Sequence, residues 1–377
     1  MKKIIALALS VLMMFSLVAC GGTSNGNSGG ALAQTGQNNS IEGNNTDNNL
    51  PTVTWKMGST WGNGTYFFER EKVFTDLVSQ LTNGKFQITV YGEGELCSAS
   101  QCFDYVSDGT IQAAGDCPGY WGGRNTAFEP LCFTCNDFTA MDYVTWINQH
   151  DGLEVYNKIY GQYNIVYFPH TICWQESGIR SSKPLTSLED MSHAKLRVGG
   201  VVASRMLKSL GVNIVSMSGG ELYEAIMRGT IDGCEFSTPG ADITLGLHEV
   251  APYLLLPCWF QSANVNGVMI NKEAYDALPQ EYKDALAQAT EITRSQIDKT
   301  FNDDAIAFQK MLDAGMQVTY LSDEDMARIE TAIADTYAAV EAENPDFKMV
   351  RDSMHNYRES VDVYRDALDI YGFGISK

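Results

Sequence analysis

Arg197 is the residue of this 377-residue chain whose side chain is best suited to recognise a small anion. It lies in the segment Lys195-Leu196-Arg197-Val198, whose basic and apolar residues alternate as in a half-buried strand. A guanidinium offers paired donors that match the two oxygens of a carboxylate, and it stays charged when partly removed from water. An arginine on a strand more commonly lies on the solvated face, so the pattern alone leaves both interpretations open.

Glu235 is a second candidate, and it lies in the short apolar segment Cys234-Glu235-Phe236 that follows a turn at 230–233. We predict that this segment is a strand. A glutamate near the end of a strand either meets a ligand or is a solvated or salt-bridged acid. The spacing does not decide between these two roles.

Residues 183–242 contain the elements that must position Arg197 and Glu235. The pattern predicts strand, helix, strand, helix and strand, with a capping box at Ser187 and Asp190 and a glycine just after each longer helix. Strands that alternate with helices of about ten residues form parallel β-α-β units, and ligands of such sheets lie at the carboxyl ends of the strands. Arg197 and Glu235 are both expected at or near such ends.

A second β-α-β-α-β pattern covers residues 52–115, so the chain contains two units of the same kind. The apolar pattern at 253–271 predicts a return of the chain to the first unit. The chain would then cross between two lobes more than once, which makes a hinge and permits closure around a ligand.

The motifs of common catalytic sites are missing from the sequence. It contains no P-loop, no GxSxG motif, no dinucleotide-binding motif and no HExxH pair, and its 5 histidines are scattered. Cys132 and Cys135 have CxxC spacing, but no second CxxC or nearby histidine pair completes a zinc site. These observations favour binding over catalysis.

Residues 184–259 carry the most specific resemblance to a known family. In order they contain SLEDM, KLRVGG, LGV and GELYEAIMRGTIDGCEF, followed by Asp242. This series resembles the extracytoplasmic solute receptors of TRAP (tripartite ATP-independent periplasmic) transporters, the DctP family. It is most similar to their 2-oxo acid (mannitol/chloroaromatic) branch, and the resemblance extends from Trp55 to about Asn344.

The resemblance and the two repeated patterns together predict an α/β fold. Its two lobes would form a periplasmic-binding-protein-like architecture with a ligand cleft between them and a long helix, 279–314, across both. The predicted organisation is lobe I at 51–175 with a return segment at about 260–315, lobe II at 176–259, and a C-terminal strand and helices at 316–377 that pack across the lobes or mediate dimerisation.

The resemblance also implies the residues of a binding site. Arg197 falls on the carboxylate-binding arginine of the family. Gln175, Glu235 and the backbone carbonyl of Phe236 match positions around the substrate and a bound cation, and such oxygen ligands suit sodium or calcium. A cation would lower the electrostatic cost of placing Glu235 beside the anion. No cofactor is required.

Two positions depart from the family pattern. Phe236 replaces a tryptophan, which removes an indole donor, and Gln261 replaces a glutamate, which removes a strong acceptor. The ligand is therefore expected to differ from a simple 2-oxo acid. Three aromatic residues that follow predicted strands, Trp61, Tyr120 and Trp121, are candidates for cleft walls and equally for core positions.

The N-terminal segment indicates secretion. Two lysines precede the apolar run 4–18, which is too short for a membrane span, and Leu17-Val18-Ala19-Cys20 resembles a bacterial lipobox. Residues 1–19 would be the signal peptide, and lipidated Cys20 would anchor the protein to the outer face of a membrane through the polar tether 21–50. The alternative is an ordinary signal peptide that is cut elsewhere.

The chain has a formal net charge of −20. A surface this acidic disfavours nucleic acid and anionic lipid as partners, although one arginine in a cleft can still bind an anion. The expected partners are a small organic acid, the TRAP membrane subunits and the membrane through the lipid anchor.

Eight of the 9 cysteines remain once Cys20 is assigned to lipid. Outside the cytoplasm an even number favours disulfides, with the local pairs Cys97/Cys102 and Cys132/Cys135 as candidates. The others have apolar neighbours that are equally typical of buried thiols: Cys117, Cys173, Cys234 and Cys258.

The last predicted helix carries an apolar stripe at spacings of three and four residues, from Met354 through Tyr357, Val361 and Tyr364 to Leu368 and Tyr371. This heptad-like stripe could form a homodimer, or it could pack on its own protein.

The sequence thus predicts an extracytoplasmic receptor that binds a small carboxylate and performs no reaction. Two rivals stay open. One is a receptor for an ABC importer or a sensor, and the other is an extracellular enzyme on the same scaffold.

Overall fold

The structure, a computed structural model, describes residues 50–368. The predicted signal peptide, Cys20, nearly all of the tether and Tyr371 lie outside the described residues. The strands are β1 Val53–Ser59, β2 Phe86–Tyr91, β3 Ala113–Asp116, β4 Ile165–Cys173, β5 Ile179–Ser181, β6 Lys195–Arg197, β7 Asn213–Val215, β8 Gly233–Cys234, β9 Tyr253–Leu256, β10 Asn264–Asn271 and β11 Gln317–Tyr320. The α-helices are α1 Tyr66–Leu81, α2 Cys102–Ser107, α3 Ala140–Gln149, α4 Gly152–Tyr160, α5 Leu188–His193, α6 Val201–Ser209, α7 Leu222–Met227, α8 Pro239–Thr244, α9 Leu247–Val250, α10 Lys272–Asp276, α11 Gln280–Ser295, α12 Ile297–Asp313, α13 Asp323–Glu343 and α14 Pro345–Leu368.

The first sheet has the strand order β2-β1-β3-β10-β4. β1 is parallel to β2 and β3, whereas β10 is antiparallel to β3 and β4. In β1, Trp55 and Met57 are buried while Thr54 and Lys56 are exposed, which is the alternation expected when one face of a strand packs on a core. That core includes Phe74 of α1.

The second sheet has the order β11-β9-β5-β8-β6-β7. β6 is parallel to β7 and β8, and β5 is antiparallel to β8 and β9. The chain passes from the first sheet to the second after β4, returns at β10 and joins the second sheet again at β11. The predicted two-sheet α/β fold with several crossings is confirmed, and the exact lobe limits stay predictions.

The predicted order of elements in residues 183–242 is also confirmed, as β6, α6, β7, α7 and β8 follow one another. The last strand is shorter than predicted, because β8 ends at Cys234 and does not include Glu235 or Phe236. The side chain of Ser187 accepts a hydrogen bond from the Asp190 amide at 3.0 Å and so caps α5. β6 and β8 are parallel and end at Arg197 and Cys234, so Arg197 and Glu235 lie at the same edge of the second sheet.

The long helix predicted at 279–314 is interrupted, and this prediction was wrong in that respect. Gln296, with φ −82° and ψ 31°, separates α11 from α12. Arg70 donates to the Thr293 carbonyl at 3.2 Å and to the Gln296 side chain at 2.8 Å, and Trp174 donates to the Ile297 carbonyl at 3.1 Å. Arg70 and Trp174 therefore bind carbonyl groups at the interruption, although both residues are far from it in the sequence.

The apolar stripe of α14 is divided between core and surface. Met354 and Tyr357 are buried in the same hydrophobic cluster as Trp146 of α3, so this half packs on its own protein. Tyr364 is exposed. The predicted homodimer stays a prediction.

The predicted Cys132/Cys135 pair is not formed, because the eight cysteines among residues 50–368 are all free thiols. The Cys132 sulfur lies 3.4 Å from the sulfur of Cys117, while Cys135 directs its thiol to the Phe260 carbonyl at 3.6 Å. Cys97 and Cys102 are also free, and the Cys102 thiol is directed to the Ser98 carbonyl at 3.4 Å.

Across residues 50–368, none of the helices combines the length and the apolar character that crossing a bilayer requires.

Candidate functional site

Arg197 is buried, with 5% of its surface exposed, and three acceptors hold its guanidinium in place. Nε donates to the Met217 carbonyl at 3.2 Å, and Nη1 donates to the Glu235 carbonyl at 2.8 Å and to Glu235 Oε2 at 3.2 Å. Burial alone would lower the pKa of Arg197, but the neighbouring acids, Glu235 first among them, outweigh burial and raise it. The guanidinium therefore stays charged and has a fixed orientation.

Glu235 forms a salt bridge, which was one of the two roles predicted for it. Its Oε2 bonds Arg197 and also accepts from the Gly199 amide at 2.6 Å. The carboxylate thus ties the end of β8 to the turn that follows β6. Its second oxygen, Oε1, faces Gln261.

The side-chain amide of Gln261 lies between two buried acids, Glu235 and Glu176. With its nitrogen toward them, it donates to Glu235 Oε1 at 2.9 Å and to Glu176 Oε2. The other oxygen of Glu176 accepts from Asn264 at 2.5 Å. Burial and then Glu235 raise the pKa of Glu176 well above its ordinary value.

Glu176 and two asparagines are site residues that the sequence reasoning missed. Asn266 donates to the Asn264 side chain at 2.6 Å, and both line the pocket with Glu176. The two asparagines stand two residues apart on β10, which places them on one face of a strand, and this spacing was a usable signal. Glu176 had no such signal beyond its position next to Gln175.

Gln175 does not line the pocket beside Arg197. Its side chain donates to the Cys258 carbonyl at 2.8 Å, so the structure brings Glu176 rather than Gln175 to the pocket. The family pattern has a glutamate at the position of Gln261. In this chain Glu176, which is next to Gln261 in the structure, supplies a carboxylate to the same group of residues.

The inner pocket beside Arg197 has a volume of ≈ 20 Å³, and an outer cavity of ≈ 930 Å³ adjoins it. Arg197, Trp61, Tyr120 and Phe236 line both spaces. The inner volume has room for about one water molecule. A ligand in the outer cavity therefore meets Arg197 directly, whereas entry into the inner pocket requires part of this aromatic wall to move.

The predicted wall residues differ in their surroundings. Trp61 is buried against Phe67, with ring centroids 5.0 Å apart, whereas 38% of Tyr120 is exposed. Trp121 lines only the outer cavity, and its indole donates to Asp116 at 2.6 Å. Tyr120 is thus the most exposed of the three predicted wall residues.

Glu129 is hydrogen-bonded to the backbone just after the turn that follows Arg197. Its carboxylate oxygens accept from the Val202 and Ala203 amides, each at 2.8 Å, at the beginning of α6. An anion at a helix N-terminus is stabilised by the helix dipole. Burial nevertheless raises the pKa of Glu129 to about 7.

We expect the folded protein to lose stability as the pH rises from about 5.5 to about 8. Burial raises the pKa of Glu129 from 4.5 to about 7 and that of Asp116 from 3.8 to about 7. Stability from an acid with a raised folded pKa is complete below the unfolded pKa and is lost as pH rises through the folded value. His170, whose pKa burial lowers to about 3, opposes this trend only below its unfolded value of 6.5.

Thermal melting at the two pH values measures this loss. Glu129→Gln should reduce the difference between them, because it removes one of the titrating carboxyl groups. Glu343→Gln is the matched control, since Glu343 is exposed, pairs with Arg205 and has a lowered pKa. A wild-type melting temperature that is higher at pH 8 than at pH 5.5 would contradict the prediction.

The sequence is similar to known solute-binding proteins over most of its length. The family described as bacterial extracellular solute-binding protein, family 7 (DctP), matches residues 57–344. The monocarboxylate 2-oxoacid-binding periplasmic protein of Nostoc sp. is 28% identical over 311 residues, which cover 82% of this chain and 85% of the relative.

Solved structures are similar over most of the chain. A TRAP transporter solute-binding protein from Bordetella bronchiseptica, a mixed-occupancy dimer with copurified calcium and picolinate, has a TM-score of 0.79 and 29% identity and covers 86% of this chain and 98% of its own. A TRAP periplasmic solute-binding protein from Pseudoalteromonas atlantica with bound sodium and pyruvate has a TM-score of 0.79 and 24% identity, and covers 85% and 98%; this similarity concerns the fold.

Proposed function

Because this chain belongs to the DctP family of bacterial extracellular solute-binding proteins, we propose that it is the extracytoplasmic receptor of a TRAP transporter. Its ligand is a small organic carboxylate, a 2-oxo acid or a related anion, which it delivers to the membrane subunits. In this role the protein binds and releases its ligand and catalyses no reaction. It also includes the lipid anchor at Cys20, which lies outside the described residues.

The fixed guanidinium of Arg197 is the observation that carries the proposal. Nε and Nη1 are held by Met217 and Glu235, whereas Nη2 makes no hydrogen bond with any residue in 50–368. A guanidinium that is oriented beforehand loses little freedom when it binds, and charge-assisted bonds to a carboxylate are among the strongest in proteins. The outer cavity gives a ligand access to this group.

A small cation fits the acids beside Arg197. Two buried carboxyl groups, Glu176 and Glu235, face one guanidinium, and a ligand carboxylate would add a further negative charge. In the cation-bound protein the Gln261 amide would turn its oxygen toward the acids in place of its nitrogen, which completes a set of hard oxygen donors of the kind that sodium and calcium prefer. We propose Glu176, Glu235 and Gln261 as the cation ligands in place of the predicted set with Gln175 and the Phe236 carbonyl.

A screen of small carboxylates by thermal shift, with the full chain, tests the proposed function. A ligand at a hundred times its dissociation constant stabilises the fold by about 2.7 kcal/mol. Stabilisation by pyruvate or other 2-oxo or hydroxy acids is expected. Stabilisation by sugars or amines alone would contradict the proposal, and turnover of a candidate ligand would favour the extracellular enzyme instead.

We expect the affinity for such a carboxylate to rise about 5- to 150-fold when sodium or calcium is present, the usual range for coupled sites. Calorimetry with pyruvate in choline buffer containing a chelator, and again after addition of each ion, measures the change. Glu176→Gln should reduce it, since one carboxylate is lost. Glu189→Gln on the exposed side of α5 is the control. Equal affinities with and without the ions would contradict the cation site.

The rival assignment to an ABC importer or a sensor makes a different prediction about partners. Genes for TRAP membrane subunits beside this one would favour the proposal, and a gene for an ATPase would favour the rival.

A further inference from the structure

Cys117 and Cys132 form a buried pair of thiols, which the sequence pattern did not predict to lie close together. Their sulfurs are 3.4 Å apart, Cys132 is fully buried and 6% of Cys117 is exposed. Cys117 directly follows β3, and Cys132 lies in the loop before α3. They are 15 positions apart in the sequence.

The geometry around Cys132 favours this partner over Cys135. Cys132 also directs its thiol to the Val265 carbonyl at 3.3 Å. Cys135 points to the Phe260 carbonyl. A disulfide needs a sulfur–sulfur distance of about 2.0 Å, so the two thiols must approach by about 1.4 Å, which side-chain rotation and small backbone shifts supply.

We propose that Cys117 and Cys132 are joined by a disulfide bond in the mature, secreted protein. Two thiols lose two protons and two electrons as the sulfur–sulfur bond forms. The acceptor is a disulfide oxidant of the extracytoplasmic compartment, whose own sulfur–sulfur bond is reduced to two thiols. This step is independent of any ligand.

The surroundings of the pair determine when the bond forms. The contact with Cys132, and then burial, raise the pKa of Cys117 well above its ordinary value. Because the thiolate is the reactive form, the folded pair reacts slowly with an oxidant, and the bond must form before the pocket closes during folding. Once formed, it is shielded from reductants in the folded protein.

The bond would connect two parts of the ligand pocket. Cys117 lines the inner pocket and precedes Gly119 and Tyr120, while Cys132 precedes Phe133. These segments already touch, since a Cβ at Gly119 would lie 2.6 Å from the Phe133 ring. A disulfide would hold this wall in place whatever the ligand is.

Peptide mapping by mass spectrometry tests the proposal. The full chain, refolded in a buffer of reduced and oxidised glutathione, is alkylated in denaturant and digested without reduction. A peptide pair joined through Cys117 and Cys132, lacking two hydrogen atoms, is expected. Recovery of both cysteines alkylated, or of Cys132 joined to Cys135 or another cysteine, would overturn the proposal. This measurement needs no variant.

Variants extend the test to stability. Cys132→Ser should lower the melting temperature of the oxidised protein by roughly 3–8 °C, and refolding of the wild type in a reducing buffer should do the same. Cys135→Ser is the matched control, since Cys135 is also buried and its loss should leave the Cys117–Cys132 peptide pair intact. Equal melting temperatures for oxidised and reduced wild type would count against the bond.

Discussion

Arg197→Ala is expected to weaken the binding of small carboxylates by roughly 30- to 4,000-fold, as is usual when a buried charged partner is truncated. The guanidinium is held by Met217 and Glu235, so a ligand carboxylate gains its bonds at little cost in freedom. Alanine removes both the positive charge and the paired donors. Calorimetry with the strongest carboxylate from the thermal-shift screen measures the loss.

Two further variants separate a binding role from a structural one. Arg197→Lys keeps the charge but not the planar fork, so its affinity should fall between those of wild type and alanine. Arg205→Ala is the matched control, because Arg205 lines the outer cavity and pairs with Glu343 at the surface. Circular dichroism should show a folded Arg197→Ala protein, since Glu235 keeps its bond from the Gly199 amide. An unchanged affinity in this variant would remove Arg197 from the site.

The parts of the fold that the sequence predicted are those determined by local signals. The strand of Arg197, the cap at Ser187 and the order of elements up to β8 depend on residues a few positions apart. The return of the chain to the first sheet was predicted from residues 253–271, but only β10 joins that sheet, whereas β9 at the start of this segment pairs with β5 and β11 in the second sheet.

The parts that could not be predicted depend on residues far apart in the sequence. Nothing near Gln296 ends a helix, since neither glycine nor proline stands there, and the interruption depends on Arg70 and Trp174. The Cys117 and Cys132 thiols meet because the loop before α3 folds back beside β3, which no spacing rule contains.

The sequence predicted that Arg197 and Glu235 lie together, but not which residues surround them. Arg197 ends β6 and Glu235 follows the parallel strand β8, so topology alone placed them together. Glu176 instead reaches Gln261 and Asn264 from the crossing between the sheets, where no periodicity applies. The loss of a carboxylate at Gln261 was visible in the sequence, but its replacement by Glu176 was visible only in the structure.

Arg180→Met is expected to lower the free energy of unfolding by about 3–5 kcal/mol, the usual cost of breaking a buried ion pair. Arg180 Nε and Asp242 Oδ2 are 2.7 Å apart, and each side chain is 1% exposed. Arg180 lies on β5, between β8 and β9, and the second oxygen of Asp242 accepts from the Ser237 amide at 3.1 Å. Methionine fills the space but leaves a buried carboxylate without its cation. Urea unfolding measures the loss.

The pH dependence of this loss identifies its cause. Burial already raises the pKa of Asp242, and Arg180 opposes that rise, so the pKa of Asp242 in the variant is higher still. Stability from an acid with a raised folded pKa is lost as pH rises through that value, so the penalty should be larger at pH 8 than at pH 5. Lys272→Met, which breaks an ion pair whose side chains are 50% and 55% exposed, should cost at most about 1 kcal/mol. If Arg180→Met lowers the free energy of unfolding by no more than this control, Asp242 is uncharged in the wild type. The segment that carries Glu235 would then be held by the hydrogen bond from the Ser237 amide to Asp242 rather than by the ion pair.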